Sequence, residues 1–312
     1  MQNSIKNTLT KLTFVKNTNL VLVDGVFKQE LSAVQRNFAF TEKDLTIPKN
    51  TQILEPIHLL FISQNNAAKN FNINIGEKSS AVIFAEYIGL ENPAYTNTTK
   101  LNINLEKDSV LNFYKVQNEN ENAKHHATTF IQQNQNSSCN LNFIGQGAAA
   151  ADENLQVALK AESARFSANG IICLQKQQKA VFQALIEHLV PNCTSNILFK
   201  EIINDKAQGV FKARVIVKQN AQHSETHLTN KNLLLSDTAT INTAPELEIY
   251  ADDVICTHGA TIGQLDKQAI FYLTTRGLDI ALAKQILMRA FVGEILANFP
   301  ELLKNRVTLF KE

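Results

Sequence analysis

The chain has 312 residues, 44% hydrophobic and 19% charged, with a formal net charge of +1. That length buries a sizeable core and suggests roughly two domains of an ordinary globular class, while the balanced charge argues against a large nucleic-acid surface. Four cysteines, Cys139, Cys173, Cys193 and Cys256, form no C-x-x-C pair, which excludes a disulfide framework and a zinc finger and favours a reducing, cytoplasmic setting.

Residues 1–30 read as a short N-terminal segment without an apolar stretch of signal-peptide length. Strand patterns follow. FNINI (71–75), LNINL (101–105) and CNLNF (139–143) alternate apolar and polar residues, the period of a half-buried strand. Each of the first two runs through a charged turn into another strand, and the scheme returns less regularly in SARFSANGIICL (163–174) and GVFKARVIV (209–217). A drifting repeat of strand, turn and strand predicts a stacked β-solenoid over 31–265, each coil covering the apolar face of the next. Alternating asparagines fit side-chain amide ladders between coils. An antiparallel β-sandwich would show similar alternation. The pair His125–His126 lies in a polar stretch and reads as surface loop.

No P-loop, dinucleotide fingerprint, H-E-x-x-H or nucleophile elbow occurs, so compact enzyme motifs are lacking. Nor does any apolar run reach the ~20 residues of a membrane-spanning helix. Two clusters carry possible chemistry. HSETH would place His223, Glu225 and His227 on one strand face, as candidate ligands or as a solvated polar face. CTHGATIGQLD (256–266) sets Cys256 and His258 two residues apart, on one face of a strand. Thiol and imidazole are good ligands for iron, zinc or copper(I), and an imidazole can lower a neighbouring thiol's pKa. Gly259 and Gly263 permit a sharp turn or the close approach of another backbone. For the residues alone, a packed cysteine and a hydrogen-bonded histidine remain the competing reading.

The period changes after Asp266. KQAIFYLTTRG predicts a helix closed by Gly277. Asp279 then caps a second helix, IALAKQILMRAFVGEILANF, stopped by Pro300 and followed by the tail ELLKNRVTLF. Leu282, Ile286 and Ala290, with Leu287, Phe291 and Ile295, form one apolar stripe, fit either for packing on the β region or for docking a partner. The segment 266–312 is thus a small helical appendix.

Residues 232–266, NLLLSDTATINTAPELEIYADDVICTHGATIGQLD, resemble the signature of the SufB/SufD family of the SUF iron–sulfur cluster assembly system, in its SufD-like form. The segments 192–217 and LVLVDGVFKQELS (20–32) resemble the family more thinly. The resemblance implies a right-handed parallel β-helix with a C-terminal helical segment, and a non-catalytic scaffold. It implies pairing with SufB through the β-helices and docking of the SufC ATPase on the helical segment, hence on the stripe Leu282 to Ile295. A transient iron–sulfur cluster or iron would form at the SufB junction, near His258 and beside Cys256, with no cofactor stably bound by this chain alone. Two other readings stay in view: a homo-oligomeric β-solenoid that works without SufB, and a carbohydrate-active β-solenoid. The second needs a row of carboxylates on one face, whereas the acidic residues here are spread thinly.

Overall fold

The computed structural model describes residues 19–33, 37–90, 94–304 and 307. In chain order the strands begin with β1 (Asn19–Val23), β2 (Val26–Phe27), β3 (Ala39–Phe40), β4 (Asp44–Ile47), β5 (Ile57–Ser63) and β6 (Ala67–Ile75). They continue with β7 (Ser80–Gly89), β8 (Thr96–Leu105), β9 (Val110–Glu119), β10 (Lys124–Gln133), β11 (Ser138–Gly147), β12 (Ala150–Leu159) and β13 (Arg165–Leu174). The last are β14 (Lys179–His188), β15 (Thr194–Ile203), β16 (Gln208–Val217), β17 (Glu225–Leu234), β18 (Thr240–Ile249) and β19 (Ile255–Gly263). Three helices follow: α1 (Lys267–Thr275), α2 (Ile280–Leu296) and the single turn α3 (Glu301–Lys304).

Successive long strands alternate between a ten-stranded and a nine-stranded sheet, so that β19-β17-β15-β13-β11-β9-β7-β5 face β18-β16-β14-β12-β10-β8-β6. All their pairings are parallel; only the short β1–β2 and β3–β4 ribbons are antiparallel. This is a parallel β-solenoid of about seven turns. It begins before residue 31, because β1 already pairs with β5.

Alternation explains the stack. Phe71, Ile73 and Ile75 lie in register with Leu101, Ile103 and Leu105, and all six are buried. The intervening asparagines point outward and link coils: Asn102 Nδ2 donates to Asn72 Oδ1 at 2.8 Å, and Asn140 Nδ2 to Asn112 Oδ1 at 2.9 Å. Paired residues lie 27 apart at Asn140–Ser167 and 32 apart at Arg214–Glu246, which is why the repeat drifts in the sequence. Corners close through a left-handed residue: Lys78, Asp108, Asn136, Asn192 and Asp205 have φ between 55° and 61°. Asn and Asp tolerate that region better than other side-chain-bearing residues.

The core is not wholly apolar. Lys115, Gln117 and Glu119 from β9, and His125 and Glu153 from β10 and β12, point inward and are buried. Lys115 Nζ lies 2.6 Å from Glu153, and His125 bridges Glu119 (Nδ1, 2.7 Å) and Glu153 (Nε2, 3.2 Å). Burial alone would lower the imidazole pKa; the two carboxylates outweigh it and raise it to about 9. His125 is therefore a buried cation, not a loop residue. Only His126 faces outward, 2.8 Å from Asp152.

Asp266 and Asp279 cap α1 and α2, accepting from Gln268 N and Leu282 N. Gly277, at φ 90°, turns the chain between them. Helix α2 lays Met288, Val292 and Ile295 on the outer face of the odd-numbered sheet, over Phe84, Val116, Ile144, Ile171, Ile202 and Leu233. Lys200 pins it, donating to Phe291 O (2.7 Å) and Glu294 Oε2 (2.8 Å). Most of the tail after α3, and residues 1–18, lie outside the described residues.

Candidate functional site at the open end of the solenoid

Strands β18 and β19 are the terminal strands of their sheets: β18 pairs with β16 and β19 with β17. Cys256 and His258 are in register with Thr226 and Leu228, both buried inward residues. They therefore share the inward face of the last coil. Cys256 still packs against the core. His258 is exposed because no further coil covers it.

His258 Nδ1 lies 3.0 Å from Pro245 O on β18. A carbonyl only accepts, so Nδ1 carries the proton and the Nε2 lone pair is the one presented outward. Such a bond also fixes ring orientation, as it does behind many metal-bound histidines. Burial pushes the Cys256 thiol up from its ordinary value, so His258 does not activate it as a thiolate. Metal binding there would have to release the thiol proton. One nitrogen and one sulfur are two donors, short of the four usual for tetrahedral thiophilic sites, so remaining ligands must come from outside this pair. Gly259 and Gly263 make no turn. They sit in extended β19, and a Cβ at either would meet nothing within 4 Å.

The second cluster does not assemble as a triad. His223 occupies the left-handed corner position, at φ 57°, and lies 2.9 Å from Asp253 in the turn before β19. The corner geometry, not the strand period, sets its direction. Glu225 and His227 do share the outer face of β17, 2.7 Å apart, and the other ring nitrogen of His227 is 2.7 Å from Thr257 Oγ1. This face is opposite to that of Cys256 and His258, so the clusters cannot merge. Among the described residues no group of three or more His, Cys, Asp or Glu side chains could hold a metal ion.

The helical stripe divides. Ile295 is 0% exposed and belongs to the packed face with Met288 and Val292. Phe291 is partly buried there, with Lys200 Nζ 5.4 Å from its ring centre. Leu282, Ile286 and Ala290 remain exposed, with Leu287 half-buried. Ile280 is exposed as well, as are Phe271 and Tyr272 of α1, at 69% and 56% exposure.

No helix among the described residues is long and apolar enough to cross a membrane. Residues 61–291 match the family described as SUF system FeS cluster assembly, SufBD core domain. The chain is 34% identical to an iron–sulfur cluster assembly SufBD family protein of Synechocystis over 81% of its length and 59% of the relative's. It is 27% identical to Escherichia coli iron–sulfur cluster assembly protein SufD over 88% of its length and 66% of that protein's. A chloroplastic protein of Arabidopsis thaliana, ABCI7, is 26% identical over 81% of this chain and 56% of its own. The chain thus spans less than two thirds of each of these relatives.

Proposed function

The chain belongs to the SufBD core family of SUF-system iron–sulfur cluster assembly proteins, and on that premise we propose that it is a non-catalytic scaffold subunit. It pairs through the free edges of β18 and β19 with a SufB-type chain and completes there a site for nascent iron or cluster, which is cargo rather than a resident cofactor. The observation that carries this reading is the fixed imidazole of His258, Nε2 outward, beside Cys256 at an unpaired solenoid end. Two donors at a free edge suit a site whose other ligands come from a second chain.

The exposed apolar side chains of Leu282 and Ile286 on α2, with Phe271 and Tyr272 exposed on α1, suit docking of a SufC-type ATPase. Removing residues 279–312 is a poor test, because α2 covers Phe84, Val116, Ile144 and Ile171. The paired substitution Leu282→Asp and Ile286→Asp leaves that packed face intact. It should abolish capture of the ATPase with an unchanged melting temperature; retained capture removes the docking claim.

The site itself is tested by His258→Ala in the co-expressed complex, with cluster yield after anaerobic reconstitution and complex integrity by size exclusion. Yield should fall with the complex intact, and normal yield would return His258 to a packing role. Cys256→Ser should do less if the thiol is a neighbour and as much if it is a ligand. The same free edges allow self-pairing, a second reading that a SufB-independent dimer in solution would favour.

A further inference from the structure

Two buried acceptors sit on neighbouring strands of the last coils. Glu201 on β15 and Asn232 on β17 are register partners on the inward face, 1% and 2% exposed. Among the described residues neither Glu201 Oε1 nor Asn232 Oδ1 has a hydrogen-bond partner. Their neighbours are already committed. Asn232 Nδ2 donates to Asn230 Oδ1 (2.6 Å) and to Thr261 O on β19 (3.1 Å), while Thr243 Oγ1 on β18 also donates to Asn230 Oδ1 (2.8 Å). Reversing the Asn232 amide would aim its oxygen at Thr261 O, which can only accept. The orientation is therefore fixed, and Asn232 Oδ1 needs a donor.

We propose that Glu201 is held as a neutral carboxylic acid whose O–H donates to Asn232 Oδ1, and that this proton secures the edge strand β19 to the solenoid wall. One proton satisfies both orphan atoms at once, where an ionised carboxylate would set negative charge against an amide oxygen in a dry interior. Burial pushes the Glu201 carboxyl up from its ordinary 4.5 to about 7. A hydrogen bond from the Asn230 side chain offsets this only in part, and no charged partner among the described residues does. Toward Glu201, β13 presents Ile172 in register; the next residue, Cys173, turns to the outer face under α2, its thiol pushed up to about 12 by burial and by the charge of Glu201. Strand β16 presents Gly209, where a Cβ would come within 3.0 Å of Glu201 Oε2 and within 2.6 Å of Ile241 of β18. Strand β17 presents the neutral Asn230 and Asn232. Lys200 and Lys231 alternate to the outer face, Lys200 bound to Glu294.

Through Asn232 and Thr261 the protonation state of Glu201 sets how firmly β19, with Cys256 and His258, is held. This does not depend on which partner the edge takes. Because the folded pKa is raised, the stability this proton confers is fully present below the ordinary 4.5 and is lost as pH rises through about 7, where the carboxyl in the folded chain gives up its proton.

The test is hydrogen exchange of the amides of residues 255–263, corrected for intrinsic rates, in the wild-type chain and in Glu201→Gln. The Gln variant keeps a donor at every pH. Wild-type protection should fall by up to about tenfold per pH unit between the two limits, and the Gln variant should lack that component. An infrared carboxylic-acid carbonyl band should be present in the wild type at roughly pH 6, bleach by roughly pH 8, and be missing in the variant. Equal pH slopes in both proteins would overturn the proposal. If Glu201→Gln does not fold, the wild-type band alone decides, and its absence at roughly pH 6 overturns the proposal.

Discussion

The middle coils and the last coil follow one rule of alternation and differ in what lies beyond them. In the middle, inward Lys115 and His125 are sealed by the next coil and must be paired with Glu119 and Glu153. At the end, no further coil among the described residues lies above inward Cys256 and His258, and the direction that buries a residue elsewhere leaves Cys256 half-buried and His258 in solvent. An inward position is thus a structural commitment in one place and a binding opportunity in the other.

The largest expected contrast is energetic. Lys115→Ala leaves Glu153 partly unpaired in the core and should cost about 3–5 kcal/mol in urea denaturation. His258→Ala in the uncomplexed chain should change stability by less than about 0.5 kcal/mol. A comparable loss at both positions would break the comparison.

Next comes pH. The raised pKa of His125 means the folded state holds a proton that the unfolded chain releases. Its contribution is fully present below the ordinary 6.5 and is lost as pH rises through about 9. Alkaline titration of thermal stability should show that step, and His125→Gln should remove it. On the acid side, burial disfavours the charged forms of Glu119 and Glu153, yet His125 with Asn97 and Gln117 holds Glu119, and Lys115 with His125 holds Glu153, below the usual carboxylate range. Their contribution falls away as acid protonates them.

The smallest contrast uses glycines. A Cβ at Gly170 would collide with the Phe199 ring, which cannot retreat because Phe182 lies 4.1 Å from it. Gly170→Ala should cost about 1–3 kcal/mol by thermal melting. Gly259→Ala, with open space beside it, should stay within about 0.5 kcal/mol. Any larger effect of Gly259→Ala should then appear only in partner binding.

Much of the fold was legible. The offset between FNINI and LNINL is the actual register of β6 and β8, and the caps at Asp266 and Asp279 stand where the helix signals put them. What escaped depended on long-range placement. The His125–His126 pair looked polar, but strand period carries His125 to the same side as Ala127, Thr129 and Ile131, among the buried residues. Its partner Glu119 lies just across the turn from β9 to β10, but Glu153 comes from the stacked strand β12, a placement that no local pattern reveals. His223 departs for the opposite reason, since a corner turn at His223 itself interrupts the period two residues before the strand begins. The stripe that includes Ile295 fits packing or docking equally in the sequence, and the resemblance implies docking; which side of α2 packs, Ile295 included, is chosen by the apolar outer face of the odd-numbered sheet.

Pro245 has a consequence for assembly at large. A solenoid that ends in two bare strands invites further chains to add end to end, the route by which such folds grow into fibres. Proline brings no N–H to β18, so a chain docking on that edge finds a missing rung. Its carbonyl is already occupied by His258. Unselective stacking of identical ends is penalised at this rung, whereas a partner shaped to leave it unfilled is not, and the solenoid is thereby biased toward finite complexes.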